Sequence, residues 1–96
     1  MEIIELDLTG CTHQIDIQKR IKEAFDFPDW YGHNWSAFRD MLRGEVTAEK
    51  LILKGIRSLP ASLDEPLGIM FKCLDQNVEE HKNSIYLDPF SYEIIS

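Results

Sequence analysis

No glycine-rich phosphate loop occurs in this chain: Gly10, Gly32, Gly44, Gly55 and Gly68 are too scattered for G-x-G-x-x-G or G-x-x-x-x-G-K. Nucleotide chemistry has no visible cradle. The two cysteines, Cys11 and Cys73, form no C-x-x-C motif, which gives neither a zinc pattern nor a redox pair. Cys73 falls in an apolar helical stretch, where a free thiol acts as a small core residue. The three histidines, His13, His33 and His81, have no helical spacing and no neighbouring cysteines, so neither a metal nor a cofactor is expected. Residues 32–36, GHNWS, miss the register of a nucleophile elbow, because Ser36 stands four positions after Gly32. No apolar run approaches the roughly 20 residues that span a bilayer. The first residues, MEIIELDL, carry acids where a secretory signal carries bases, and a cytoplasmic location is the expectation.

Basic residues are also scarce. Lysine and arginine number 10 against 17 aspartates and glutamates, giving a formal net charge of −7. Such a surface repels phosphate backbones and anionic membranes, whereas nucleic-acid affinity comes from cationic contacts that release counterions. A basic protein partner fits this charge better than RNA or DNA does. A length of 96 residues with 44% hydrophobic content suits one domain, 1–96, with one core.

Along the chain, EIIELDL puts Ile4, Leu6 and Leu8 on one side and Ile3 opposite, a strand closed by Thr9 and Gly10. Ile17, Ile21, Ala24 and Phe25 follow helical spacing, with Asp16 or Thr12 as N-cap and Pro28 as terminator. A short helix starts from Asn34 as N-cap and ends at Gly44, which suits a left-handed C′ position. KLILK, residues 50–54, reads as a buried strand. The stretch 56–64, broken by Pro60, holds a turn or short helix, with Ser62 or Asp64 as the next cap. Leu67, Met70, Phe71, Leu74 and Val78 mark a long helix over 65–83. SIYLD, 84–88, reads as the third strand, and PFSYEIIS as a tail. Strands separated by helices predict an α/β fold with a three-stranded parallel sheet and about four helices.

The densest signal is FPDWYGHNWSAFRDML, residues 27–42, which crowds Phe27, Trp30, Tyr31, Trp35 and Phe38 around Gly32, His33 and Asn34. Ala37, Phe38, Met41 and Leu42 give its helix an apolar face for the sheet. Ser36, Arg39, Asp40 and Arg43 share the opposite side, with Asp40 and Arg43 spaced for an i, i+3 ion pair. Phe27, Phe38 and Tyr31 are expected to anchor the loop. Trp30 and Trp35 are expected to face a partner, since tryptophan at a rigid edge is a frequent hot spot.

Pro28, Tyr31, Gly32, Asn34, Ala37, Asp40, Leu42 and Gly44, with an aromatic at Trp30 and apolar residues at Phe27, Phe38 and Met41, resemble the signature of the barstar family of ribonuclease inhibitors. The order of elements is similar over nearly the whole chain. The resemblance implies a three-stranded parallel sheet with packed helices. It further implies a non-enzymatic immunity protein whose loop and helix plug a nuclease cleft. It places Trp30, Gly32, Asn34, Trp35, Asp40, Arg43 and Gly44 at contact positions and matches Asp40 to the aspartate that occupies the phosphate site. Ser36 stands where the family commonly has a second aspartate, and Arg39 where it commonly has an aromatic, so Ser36 and Arg39 mark a changed target surface. An acidic contact from the long helix falls on Asp75 or Glu79, with neither assigned.

The expected partner is therefore a microbial endoribonuclease or other nuclease toxin, bound one to one without nucleic acid or membrane. A binding module for a different nuclease or a non-nuclease protein is the alternative. A small enzyme assembled from His33, Asp40 and distant residues is a third reading, lacking any catalytic motif.

Overall fold

Period-two alternation at the N-terminus makes strand β1 (Ile3–Asp7): Ile4 and Leu6 are buried with Leu8 beyond them, while Ile3 is half exposed. The computed structural model describes residues 2–44, 48–86 and 89–95. After β1 come α1 (Gln14–Phe25), α2 (Trp35–Gly44), β2 (Lys50–Lys54), single 3-10 turns at Ile56–Ser58 and Ala61–Leu63, α3 (Asp64–Asn83) and β3 (Ser91–Ile94). The expected α/β fold is present, with three α-helices and two one-turn segments standing for the anticipated four helices.

The sheet is parallel throughout and ordered β1-β2-β3, with Ile4, Leu51 and Tyr92 in one row and Leu6, Leu53 and Ile94 in another. Central β2 reads KLILK because its leucines are fully buried while Lys50 and Lys54 bond across the other face to Glu93 at 3.1 Å and Glu5 at 3.3 Å. Ile17 and Ile21 of α1, Phe38, Met41 and Leu42 of α2, and Leu67, Met70 and Leu74 of α3 complete the core with Cys11 and Cys73, both free thiols. Burial pushes both thiols above their ordinary titration range. At Gly55, φ is +78° and a Cβ would lie 2.4 Å from the Thr9 backbone nitrogen, so only glycine lets the end of β2 pass the turn after β1.

Several boundaries differ from expectation. Helix α1 begins after His13, and Asp16 sits in its first turn, where its carboxylate accepts from the Thr12 and His13 backbone N–H groups at 3.2 and 3.1 Å. Those bonds hold the Asp16 carboxyl below the usual carboxylate range. The helix ends before Pro28 because Asp26 adopts the left-handed conformation at φ 55°, which aspartate tolerates better than most residues. Gly44 is the last residue of α2 and is not left-handed. The residue ahead of α3 is Leu63, not Ser62 or Asp64; Asp64 and Glu65 instead place negative charge in the first turn.

The largest correction is the third strand. Residues 84–86 are not a strand, Ile85 and Tyr86 being about nine-tenths exposed, and Leu87 and Asp88 lie outside the described residues. The strand forms in the expected tail, where Phe90 is buried and Ser91 N–H donates to the Glu49 carbonyl at 3.0 Å. Helix α3 ends at Asn83, and the chain must travel back to the level of Lys50 before it can pair, which takes Ser84, Ile85 and Tyr86 out of the sheet.

Tyr92 on β3 donates its hydroxyl hydrogen to Asp75 of α3. Burial first, then that bond and the Asp75 charge, push the phenol up to about 12. Because the folded value lies above the ordinary value of 10, the unfolded chain gives up its proton first. Stability from this group is complete below pH 10 and is lost as pH rises toward 12. Urea unfolding between pH 9 and 11.5 checks this, with Tyr92→Phe expected to flatten the alkaline decline.

Candidate partner-binding edge

Loop 26–34 is held from beneath by its aromatic residues. Phe27, Tyr31 and Phe38 are buried, as expected of anchors. Phe25 stacks on Phe27 at 5.2 Å and meets Phe38 edge-on at 5.9 Å, while the Tyr31 ring lies 4.9 Å from Phe27. The Tyr31 hydroxyl donates to Gln18 Oε1 of α1 at 2.5 Å, a buried bond that joins the loop to the first helix. Burial moves this phenol well above its ordinary range. Lys22 of α1 also reaches Asp29 at 3.3 Å.

The turn into α2 is fixed by Asn34. Its side-chain carbonyl accepts from the Ala37 N–H at 2.8 Å, an N-cap as the sequence predicts, and its amide donates to the Gly32 carbonyl at 3.1 Å. The left-handed residue of this turn is His33, at φ 52°, and not Gly32. Gly32 is needed for space, since a Cβ there would lie 3.1 Å from Asn34 Nδ2 and 3.4 Å from the Ala37 Cβ. Gly32→Ala is expected to displace the capping amide, and Asn34→Ala to lower stability by about 1 kcal/mol. Chemical denaturation of both variants, with amide exchange at Ala37, reads the loss of the cap.

Seven of the nine expected contact residues are exposed: Trp30, Gly32, Asn34, Ser36, Asp40, Arg43 and Gly44. Trp30 is 72% exposed, an unusual state for so large a ring. Trp35 departs from expectation. Its ring packs edge-on against Phe38 at 5.8 Å, and its indole nitrogen is buried with no acceptor among the described residues, so it supports the edge from inside.

Arg39 is the other half-buried member. The expected Asp40–Arg43 ion pair is absent, because both arginines turn to α3: Arg39 Nη2 donates to Glu80 Oε1 at 2.7 Å, and Arg43 Nε lies 3.8 Å from Glu80 Oε2. Asp40 is exposed and has no hydrogen bond or ion pair among the described residues. Of the two acids considered on the long helix, Asp75 is taken by Tyr92 and Glu79 is exposed. Glu80 escaped the sequence reading because its hydrogen-bond partner, Arg39, lies 41 residues away and no local spacing marks such a pair.

His33 packs its ring 5.2 Å from Tyr31, the role of a loop residue. Among the described residues no group of three or more His, Cys, Asp and Glu could hold a metal, and no helix is long and apolar enough to cross a membrane.

Three parallel strands, helices sharing one core with them, and a capped Tyr-Gly-His-Asn turn leading into a short amphipathic helix define a class of small α/β proteins. The chain belongs to the barstar family: it matches the family described as barstar (barnase inhibitor) over residues 1–88. The family consists of inhibitors rather than enzymes, and this membership supports a ribonuclease-inhibitor role in general terms. The match ends before β3. No individual curated protein matches the chain.

Proposed function

We propose that this chain, acting as one domain over 1–96, is an immunity protein that binds a ribonuclease toxin one to one in the cytoplasm. In this reading the loop and helix at 30–44 plug the active-site cleft. The observation that carries it is Asp40: a carboxylate with no partner among the described residues, on a helix capped at its start and bolted to the core by Phe38, Met41 and Leu42. A ribonuclease cleft gathers cations around the scissile phosphate, and a fixed carboxylate can take that anion's place. Trp30 would add apolar contact beside it, and the rigid turn limits the entropy lost on docking. The net charge of −7 would speed encounter with a basic enzyme.

Ser36 favours a particular version of this reading. Where the family commonly has an aspartate, this edge has a neutral hydroxyl, which suits a nuclease with fewer cations facing the first turn of α2. Titration of RNA cleavage by a panel of microbial endoribonucleases tests the proposal. Inhibition that saturates at one equivalent supports it; unaffected cleavage across the panel would turn attention to another nuclease class or a non-nuclease partner. The slope of association rate against ionic strength separates these, since a strongly cationic cleft gives a steep decline.

A further inference from the structure

Opposite charges at i, i+3 on a helix are placed to pair, so Asp40 and Arg43 would ordinarily neutralise each other on the outer side of α2. That pair does not form. One carboxylate on another helix, Glu80, takes both arginines, at 2.7 Å from Arg39 and 3.8 Å from Arg43. We infer that Glu80 is a positioning residue that draws Arg39 and Arg43 onto α3, leaves Asp40 as the free charge of the outer face of α2, and so selects partners with a cationic recess.

This inference rests on the reading of that face as the binding edge. Its physical basis is orientation and not stability. Arg39 and Glu80 retain 26% and 38% of their side-chain exposure, and half-solvated pairs of this kind add little to folding. An arginine left free sweeps a long arm through many rotamers, and two such arms beside Asp40 would screen its charge and repel a cationic cleft. At the Glu80 carboxylate the Arg39 guanidinium is held by a hydrogen bond, while Arg43, 58% exposed, is drawn toward the same carboxylate at 3.8 Å. The other acids nearby are less able to do this. Asp75 already accepts from Tyr92, and Glu79, which lines the same shallow cavity of about 450 Å³ as Arg39 and Glu80, makes no ion pair among the described residues. Glu79 is therefore the natural control, being one position away on the same helix and carrying the same charge.

The test uses the free protein. Paramagnetic relaxation by a cationic and an anionic nitroxide co-solute, read at the backbone amides of Ser36, Asp40 and Arg43, reports the local potential. Glu79→Gln and Glu80→Gln each remove one negative charge. The cation-to-anion enrichment ratio at the Asp40 amide is expected to fall about threefold further in E80Q than in E79Q, the effect of one more positive charge arriving within several ångströms in water. Adding Arg39→Gln to E80Q, which returns the net charge to its original value, restores most of the ratio. Rotation about the Arg39 Cζ–Nε bond, slow in the original protein and in E79Q, becomes fast in E80Q. Equal ratios in E79Q and E80Q, or an Arg39 guanidinium still held in E80Q, would overturn the inference. Failure to inhibit any ribonuclease would sink the proposed function and leave this readout intact.

Discussion

Asp40→Ala is expected to release a bound ribonuclease about 30- to 5,000-fold faster, with association slowed far less, because truncating one member of a desolvated charge pair acts chiefly on dissociation. Measurements behind such ranges include barnase and barstar themselves, so the size is carried over from the family and is not deduced from this chain. What the structure adds is the expectation that the variant folds normally: Asp40 is exposed and holds nothing in place among the described residues. Stopped-flow association and competition-chase dissociation, with a thermal melt as control, decide the matter. An unchanged dissociation rate in a normally folded variant would remove Asp40 from the plug and leave Trp30 as the next residue to examine.

Ending the chain after Asp88 is expected to abolish cooperative folding, although the family match covers every residue up to that point. Such a truncation removes Phe90, β3 and the ladder on one side of β2, including the bonds from Ser91 N–H to the Glu49 carbonyl and from Ile95 N–H to the Leu53 carbonyl. The buried centre of the sheet would become an open edge, with Leu51 and Leu53 beneath it. Phe90→Ala alone is expected to cost about 3–5 kcal/mol. A domain of this size has only about 5–15 kcal/mol in total. Circular dichroism and urea unfolding of both variants give the reading. A truncated chain that still melts cooperatively would show that β3 is an ornament on a two-stranded core.

Much of this architecture is written locally. Alternating Ile4, Leu6 and Leu8, the leucines of KLILK and the 3.6-residue spacing of Leu67, Met70 and Leu74 each require a buried face, and each residue is buried. Asn34 is legible as a cap for the same reason, since its partner, Ala37, is three residues away. The third strand is not legible in this way, because SIYLD and SYEI are both β-prone and local preference does not say which of them reaches the edge of β2. Distance along the return path from α3 decides that.

At the candidate binding edge the division follows the same line. The sequence by itself determined the α/β class, the aromatic anchors, the capped start of α2 and the exposure of Asp40, because these depend on residues within a turn or two of one another. Only the tertiary structure decided that Trp35 turns inward, that His33 and not Gly32 takes the left-handed turn, and that Arg39 and Arg43 leave Asp40 for Glu80. The turn of the arginines arises from contacts between elements far apart in the chain, and its energy exists only once α2 and α3 have packed. Trp35 packs against a core that the sheet and helices share, and no residue spacing marks which member of the 32–33 pair goes left-handed.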